Sequence, residues 1–339
     1  MRHLITVMAS LLFVLAILTS TGCAATSDST FEWRFYGTED FNSVNAPVWT
    51  ECFEVLGERT EGRLTVEVLW LGEHPYEGFD MLDVVSEGTC ELGHTQGLDL
   101  TGVEPIMGGL SLLFLVPDEA AGKRVNDRLN EELINPYLAD KYNVEILGAA
   151  VAGGQAVHAS KELNSFEAME GMRIRVFNKE TADAIGAMGG VPQTMEGAEV
   201  YQALQKGILD GALTAASFAY DQKWYEVVKY VTKWNEFVFT DNVLVNLDAF
   251  NELPDDLKTI LQDTVSEYAV KTGDELLSKN VSALEDAVGE YGITVKEMDP
   301  AFRAAVIEKV QPLVWDGWKE RAGDMGDEFF DIVNAELGS

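Results

Sequence analysis

Positive charge is scarce in this chain. Among 339 residues, lysine and arginine number 24 against 57 aspartates and glutamates, a formal net charge of −33. A surface of that sign repels nucleic acid and anionic lipid, so neither is expected as a partner of the folded part. Histidine and cysteine are also rare, at four and three residues. His74, His94 and His158 lie on separate segments, and Cys52 and Cys90 lack CxxC spacing, so neither metal nor cofactor is expected. The chain has no GxGxxG behind a strand, no Walker A loop, no HExxH and no GxSxG. With so many acids, carboxylate pairs arise by chance and point to a solvated surface. Nothing therefore carries an enzymatic reading. Beyond the N-terminus, no stretch reaches the roughly 18 uninterrupted apolar residues that a membrane span requires.

What is present begins with an export signal. Arg2 and His3 precede an apolar run from Leu4 to Leu18, which ends in small residues at "TSTGCAA". Residues 1–22 read as a signal peptide, here of the lipoprotein type. The Gly22-Cys23 pair resembles a bacterial lipobox, which makes Cys23 the lipidated first residue of the mature chain. Ser20 stands where that motif usually has leucine, so cleavage near Ala24 to a soluble exported protein is the rival. Residues 23–30 form a flexible tether in either case. The expected location is periplasmic or extracytoplasmic, with membrane contact only through the anchor at Cys23. An oxidising compartment permits a Cys52–Cys90 disulfide, and their apolar neighbours equally suit buried thiols.

Strand-like and helix-like segments then alternate. "FEWRFYG", "RLTVEVLWLG" and "CELGHTQ" read as strands separated by helices, which predicts a parallel sheet covered by helices. A second α/β series starts near residue 152, with strands at "VEILGAAVAGG", "MRIRVF", "VPQTM" and "ILDGALTA". "KWNEFVFTDNVLVNLDAFNELP" reads as a long extended segment up to Pro254. A helix over about 254–290 follows, with Leu257, Ile260, Leu261, Val265, Tyr268, Leu276, Val281, Leu284 and Val288 as its buried stripe. The expected architecture is α/β, with two lobes, two parallel or mixed sheets flanked by helices, and the long helix bridging them. Lobe I takes residues 31–152 plus about 240–282, and lobe II takes 153–239 plus about 283–339. Ligands of such folds sit at strand C-terminal ends in the interlobe cleft.

"GMRIRVFNKE" uses two of the scarce cations at alternate positions. Met172, Ile174 and Val176 share one face of the strand, and Arg173 and Arg175 the other. Arg173 enters the strand and can reach solvent, whereas Arg175 lies toward the C-terminal end, at the cleft. Its guanidinium suits a carboxylate bidentately. From the residues alone, a surface or salt-bridged arginine and an anion clamp both remain open.

"SKELNSFEAMEGMRIRVFN", "VYQALQKGILDGA", "WYEVVKYVT" and "LVNLDAFNELPDDLK" follow one another in an order and spacing that resemble the extracytoplasmic solute receptors of TRAP transporters, the C4-dicarboxylate-binding-protein type. The resemblance covers roughly residues 31–320. It implies a periplasmic-binding-protein-like fold that closes on a small organic acid and delivers it to integral membrane subunits. It further implies Arg175 as the carboxylate clamp and Asn178 as a second contact. Gln155 lies near the place of a second family arginine, which suggests a ligand with one tightly held carboxylate. Leu213 and Thr214 replace a polar pair that often touches the ligand, and Thr214 stays a candidate contact. Phe218 is the candidate apolar wall, with Trp224 packed on a helix face. Tyr36, Tyr76 and Gln96, each after a first-lobe strand, are the candidates that complete the pocket on closure. The alternatives are a receptor of an ATP-driven importer and an exported hydrolase.

Overall fold

The computed structural model describes residues 29–195, 197–235 and 238–338. The signal peptide, Cys23 and most of the tether lie outside the described residues. The strands are β1 (Phe31–Tyr36), β2 (Leu64–Leu69), β3 (Leu92–Gln96), β4 (Val144–Ala152), β5 (Gln155–Ala159), β6 (Arg173–Val176), β7 (Val191–Thr194), β8 (Gly211–Ala215), β9 (Tyr230–Lys233), β10 (Phe239–Asn246) and β11 (Thr294–Glu297). They form two mixed sheets, ordered β2-β1-β3-β10-β4 and β11-β9-β5-β8-β6-β7. In the first, β1 runs parallel to β2 and β3, while β10 runs antiparallel to β3 and β4. In the second, β6 runs parallel to β7 and β8, and β5 antiparallel to β8 and β9.

The chain passes between the sheets at residues 153–154, between β9 and β10, and through the long helix. Gly154 adopts φ +82° at the first crossing, a conformation L side chains rarely take. Asn280 holds this crossing. Its Nδ2 donates to the Gly153 carbonyl at 3.2 Å, and its Oδ1 accepts from the Ser217 backbone N–H at 3.0 Å and hydroxyl at 2.9 Å.

The long helix spans Asp255–Tyr291, 37 residues and roughly 55 Å at 1.5 Å per residue. Its first half buries Leu257, Leu261, Val265 and Tyr268, as the apolar period predicts. Its second half does not follow that period. Val281 and Val288 are exposed, while Thr272, Asn280, Ala283 and Ala287 face inward. Close approach accounts for this. A Cβ at Gly273 would stand 3.2 Å from the Val151 carbonyl, so the helix lies nearly on the backbone of β4 and only small residues fit.

The segment before that helix also departs from expectation. Extended structure ends at Asn246, whose side chain caps a short helix, Leu247–Glu252, by accepting from the Ala249 N–H at 3.0 Å. Cys52 and Cys90 are free, buried thiols.

Trp33, Phe35, Trp49, Phe53 and Leu56 pack with the first half of the long helix on one face of the first sheet. A second core is continuous between the two halves of the molecule and includes Leu110, Leu113, Val157, Ile174, Val176 and Trp318. The C-terminal helix Gln311–Ala322 touches both halves. Trp318 Nε1 donates to the Pro105 carbonyl at 2.8 Å, and Arg321 pairs with Glu180 at 2.5 Å. The last helix, Asp324–Leu337, packs on Glu119–Leu129.

Candidate functional site

Strand register decides which side chains of the second sheet share a face. Arg175 stands beside Ala212 of β8, and Ala212 stands beside His158 of β5. Alternation puts Thr214 on the same face. Arg175 is buried, its Nε donating to the Met195 carbonyl at 2.9 Å and its Nη1 to the Leu213 carbonyl at 3.3 Å. Its guanidinium also lies over the Phe177 ring at 5.5 Å. Arg173 forms a forked pair with Asp210, with two bonds of 2.8 Å, on the solvent side. The two arginines of one strand thus separate into a surface ion pair and a buried cation near the strand end.

Asn178 caps the helix Lys179–Ala187. Its Oδ1 accepts from the Thr181 N–H at 2.9 Å and hydroxyl at 2.7 Å. That capping consumes the acceptor end of the amide and leaves Nδ2 buried without a protein partner. Asn178 can therefore serve a further group only as a donor.

Thr214 is buried, and its carbonyl takes the Nε2–H of fully buried His158 at 3.2 Å. Burial pulls the His158 pKa down to about 4, so the ring is neutral at physiological pH. Phe218 is 38% exposed and meets Trp224 edge-on at 5.7 Å. A Cβ at Gly197 would come within 2.4 Å of the Phe218 ring, so glycine is what lets that ring lie down. Trp224 is fully buried.

Gln155 is level with Ala215, so its side chain leaves the sheet on the face opposite Arg175. Its buried Oε1 has no protein partner, and neither does the buried Nε1 of Trp234.

In the first lobe, Tyr36, His74 and Tyr76 form one stack. Tyr36 lies 4.7 Å from His74 at 15° and 5.9 Å from Tyr76 at 20°. His74 Nε2 donates to the Gly37 carbonyl at 3.0 Å, while its Nδ1 accepts from the Tyr76 N–H at 3.3 Å, which fixes the tautomer. Gln96, at the end of β3, donates from Nε2 to Glu39 Oε1 at 2.6 Å.

Behind Gln96 lies a group that sequence reasoning missed. Asp241 of β10 and His94 of β3 are both fully buried and 2.5 Å apart. Asp241 also accepts from Trp49 Nε1 and from Asn45 Nδ2, each at 3.1 Å. Withdrawal from water pushes the Asp241 carboxyl up, but His94 and these donors outweigh it and hold it below its ordinary value. Burial opposes protonation of His94, yet Asp241 and the nearby Glu39 hold its pKa above the ordinary value. Glu39 is shifted up, first by desolvation and then by Asp241. No local motif announces this group, because His94 and Asp241 are 147 positions apart.

A cavity of about 560 Å³ opens between the loop after β1, the helix Ala216–Asp221 and the long helix. Asn42, Glu51, Ser217, Lys271 and Lys279 line it, and none of the eight predicted contacts does. Ser217 adjoins Phe218, so this cavity lies beside the candidate contacts and does not contain Arg175.

The sequence profile of the bacterial extracellular solute-binding proteins, family 7, matches residues 48–320. The chain belongs to that family. Among family 7 relatives, the C4-dicarboxylate-binding periplasmic protein DctP of Rhodobacter capsulatus is 33% identical over 50% of this chain and 51% of its own length. The ectoine-binding periplasmic protein TeaA of Halomonas elongata is 24% identical over 95% of this chain and 94% of its own. Among solved structures, a TRAP periplasmic solute-binding protein from Desulfovibrio salexigens with bound orotic acid superposes with a TM-score of 0.80 at 22% identity, covering 91% of this chain and 99% of that one. The fold is thus that of the TRAP periplasmic solute-binding proteins. Among the described residues, no helix is long and apolar enough to cross a membrane.

Proposed function

We propose that this family 7 chain is the extracytoplasmic receptor of a TRAP-type transporter and that it binds a small organic acid between its two lobes for delivery to the membrane subunits. The observation that carries the reading is Arg175, a buried cation near the C-terminal end of an interior strand in a molecule dominated by carboxylates. Relatives and structural neighbours with carboxylate ligands support the same class: DctP is named for C4-dicarboxylates, and the Desulfovibrio protein holds orotic acid. The lobes of this reading follow the sheets, residues 31–152 with about 240–282 and residues 153–239 with about 283–339. Their closure expels water and strengthens the charge-assisted contact to Arg175. Asn178 Nδ2 adds a donor, Thr214 and Phe218 form the wall, and Tyr36, Tyr76 and Gln96 meet the ligand from the other lobe. Gln155, on the opposite face at the start of an interior strand, supports the sheet from behind in this reading.

The reading assigns no reaction to the chain, and turnover of any bound acid would sink that part of it. It also keeps Cys23 as a lipid anchor on the strength of the Gly22-Cys23 pair, with the intact mass of the mature N-terminus as the check. For the clamp, isothermal calorimetry of Arg175→Ala is the test. Truncating one partner of a buried charge pair costs about 2–5 kcal/mol, a loss of roughly 30-fold to several thousand-fold in affinity. Affinity near that of the wild type would remove Arg175 from the site.

A further inference from the structure

The two C-terminal helices are anchored on the half of the molecule that holds the first sheet. In the helix Gln311–Ala322, Trp318 Nε1 donates to the Pro105 carbonyl at 2.8 Å, while Gln311 Nε2 and Trp315 Nε1 donate to the Leu113 carbonyl at 2.9 and 3.0 Å. In the helix Asp324–Leu337, Glu336 pairs with Arg124 at 3.1 Å. Phe329 of that helix lies so near Gly109 that a Cβ there would come within 2.4 Å of the ring. Pro105, Gly109, Leu113 and Arg124 all belong to the stretch 31–152.

One side chain reaches from this pair of helices to the other half. Arg321, in the last turn of Gln311–Ala322, places Nη2 2.5 Å from Glu180 Oε1 and Nη1 3.8 Å from Asp183 Oδ2. Its Nη1 also donates to the Gly317 carbonyl at 3.0 Å, so its own helix aims the guanidinium. Glu180 and Asp183 stand nearly one turn apart on Lys179–Ala187, the helix that Asn178 caps. Glu180 is 2% exposed, and among the described residues Arg321 is the one cation within ion-pair distance of it. A carboxylate so far withdrawn from water depends on its partner. Glu180 is followed by Thr181, whose N–H and hydroxyl both donate to Asn178 Oδ1. The contacts therefore run from Pro105 and Leu113 through Arg321, Glu180 and Thr181 to the Asn178 amide.

We infer that Arg321 is a positioning residue for Asn178. Braced on the first half, it holds the first turn of Lys179–Ala187 through Glu180 and so sets where the unpartnered Asn178 Nδ2 stands. This rests on the receptor reading above, in which Asn178 donates to the ligand. It also moves residues 311–338 from lobe II to lobe I, so the Arg321–Glu180 pair stands between the lobes.

The test uses the purified mature chain, Arg321→Met, and a double variant that adds Glu180→Gln. Two quantities are read. One is amide hydrogen exchange at residues 179–182. The other is calorimetric affinity for the tightest binder in a library that includes succinate, orotate and pyroglutamate. Arg321→Met should speed exchange at 179–182 ahead of the rest of the molecule and weaken binding about 2- to 30-fold. It also leaves a buried charge alone, so it melts lower. The double variant leaves no charge alone and regains melting temperature, while its affinity stays lowered because the turn is still unheld. Affinity that recovers together with melting temperature overturns the inference, because the pair would then act on stability alone. Unchanged exchange at 179–182 overturns it as well. A wild type that binds no acid overturns the receptor reading, and the exchange measurement still decides whether Arg321 holds the turn. Should Arg321→Met not fold, the double variant decides alone: lowered affinity with faster exchange upholds the inference, and wild-type values of either overturn it.

Discussion

Asp241 shows how much one residue can carry without leaving a local trace. It is fully buried, and three polar atoms make four contacts to it: His94 Nε2, Trp49 Nε1 and, to both of its oxygens, Asn45 Nδ2. Its carboxyl titrates below the ordinary value, so its stabilising contribution is present above the unfolded pKa of about 3.9 and is lost as pH falls through the folded value. His94 is shifted the other way. Its contribution is full below about 6.5 and is lost as pH rises through its raised folded pKa. Both partners are therefore engaged between about pH 4 and 6.5. Asp241→Asn should cost about 3 kcal/mol or more there, the range for breaking a buried pair. Melting curves at several pH values check this. The gap to wild type must be widest in that window and shrink under more acidic conditions.

At the scale of elements, the long helix works as a spine whose two halves follow different rules. The first half packs large apolar residues by period. The second half lies against the backbone at Val151 and Gly153, where small and polar residues face inward. Asn280 serves three backbone and side-chain groups there, joining the first crossing to the helix that carries Phe218. Asn280→Ala would strand the Ser217 N–H and the Gly153 carbonyl, at about 1–3 kcal/mol for each buried group left unsatisfied. Hydrogen exchange should then rise at residues 153–155 and 216–218 ahead of the rest of the molecule. Uniform change across the chain would mean that Asn280 is only a packing residue.

The whole molecule is governed by its charge. A formal −33 produces self-repulsion that screening relieves. The screening length falls from about 8 Å at 0.15 M salt to about 3 Å at 1 M. The melting temperature should therefore climb by roughly 5 °C or more between 0.05 and 1 M sodium chloride. A flat or falling curve would show that the acids are already locally compensated. Ligand affinity should respond less to salt than stability does, because Arg175 is buried and short-range contacts are screened least.

Alternation and periodicity are local properties, and they were legible. Arg173 and Arg175 share a strand face apart from Ile174, the long helix runs over Asp255–Tyr291 close to the expected span, and the βαβ order foretold two sheets. The ordered segments from 160 to 260 carried the family. Register between strands far apart in the chain was not legible, because it is set by packing across the sheet. Register put Gln155 on the face opposite Arg175, although both belong to the same candidate set. Packing, too, gave the inner face of the helix to Asn280 and Ala283 while leaving Val281 in solvent. The His94–Asp241 pair with Glu39 beside it exists only because β3 and β10 lie side by side. Sequence alone determined the fold class, the family and the arginine strand. Tertiary structure decided which cation is buried and which amide atoms stay unpaired. Burial and hydrogen-bond partnership are relations between segments that no single segment encodes.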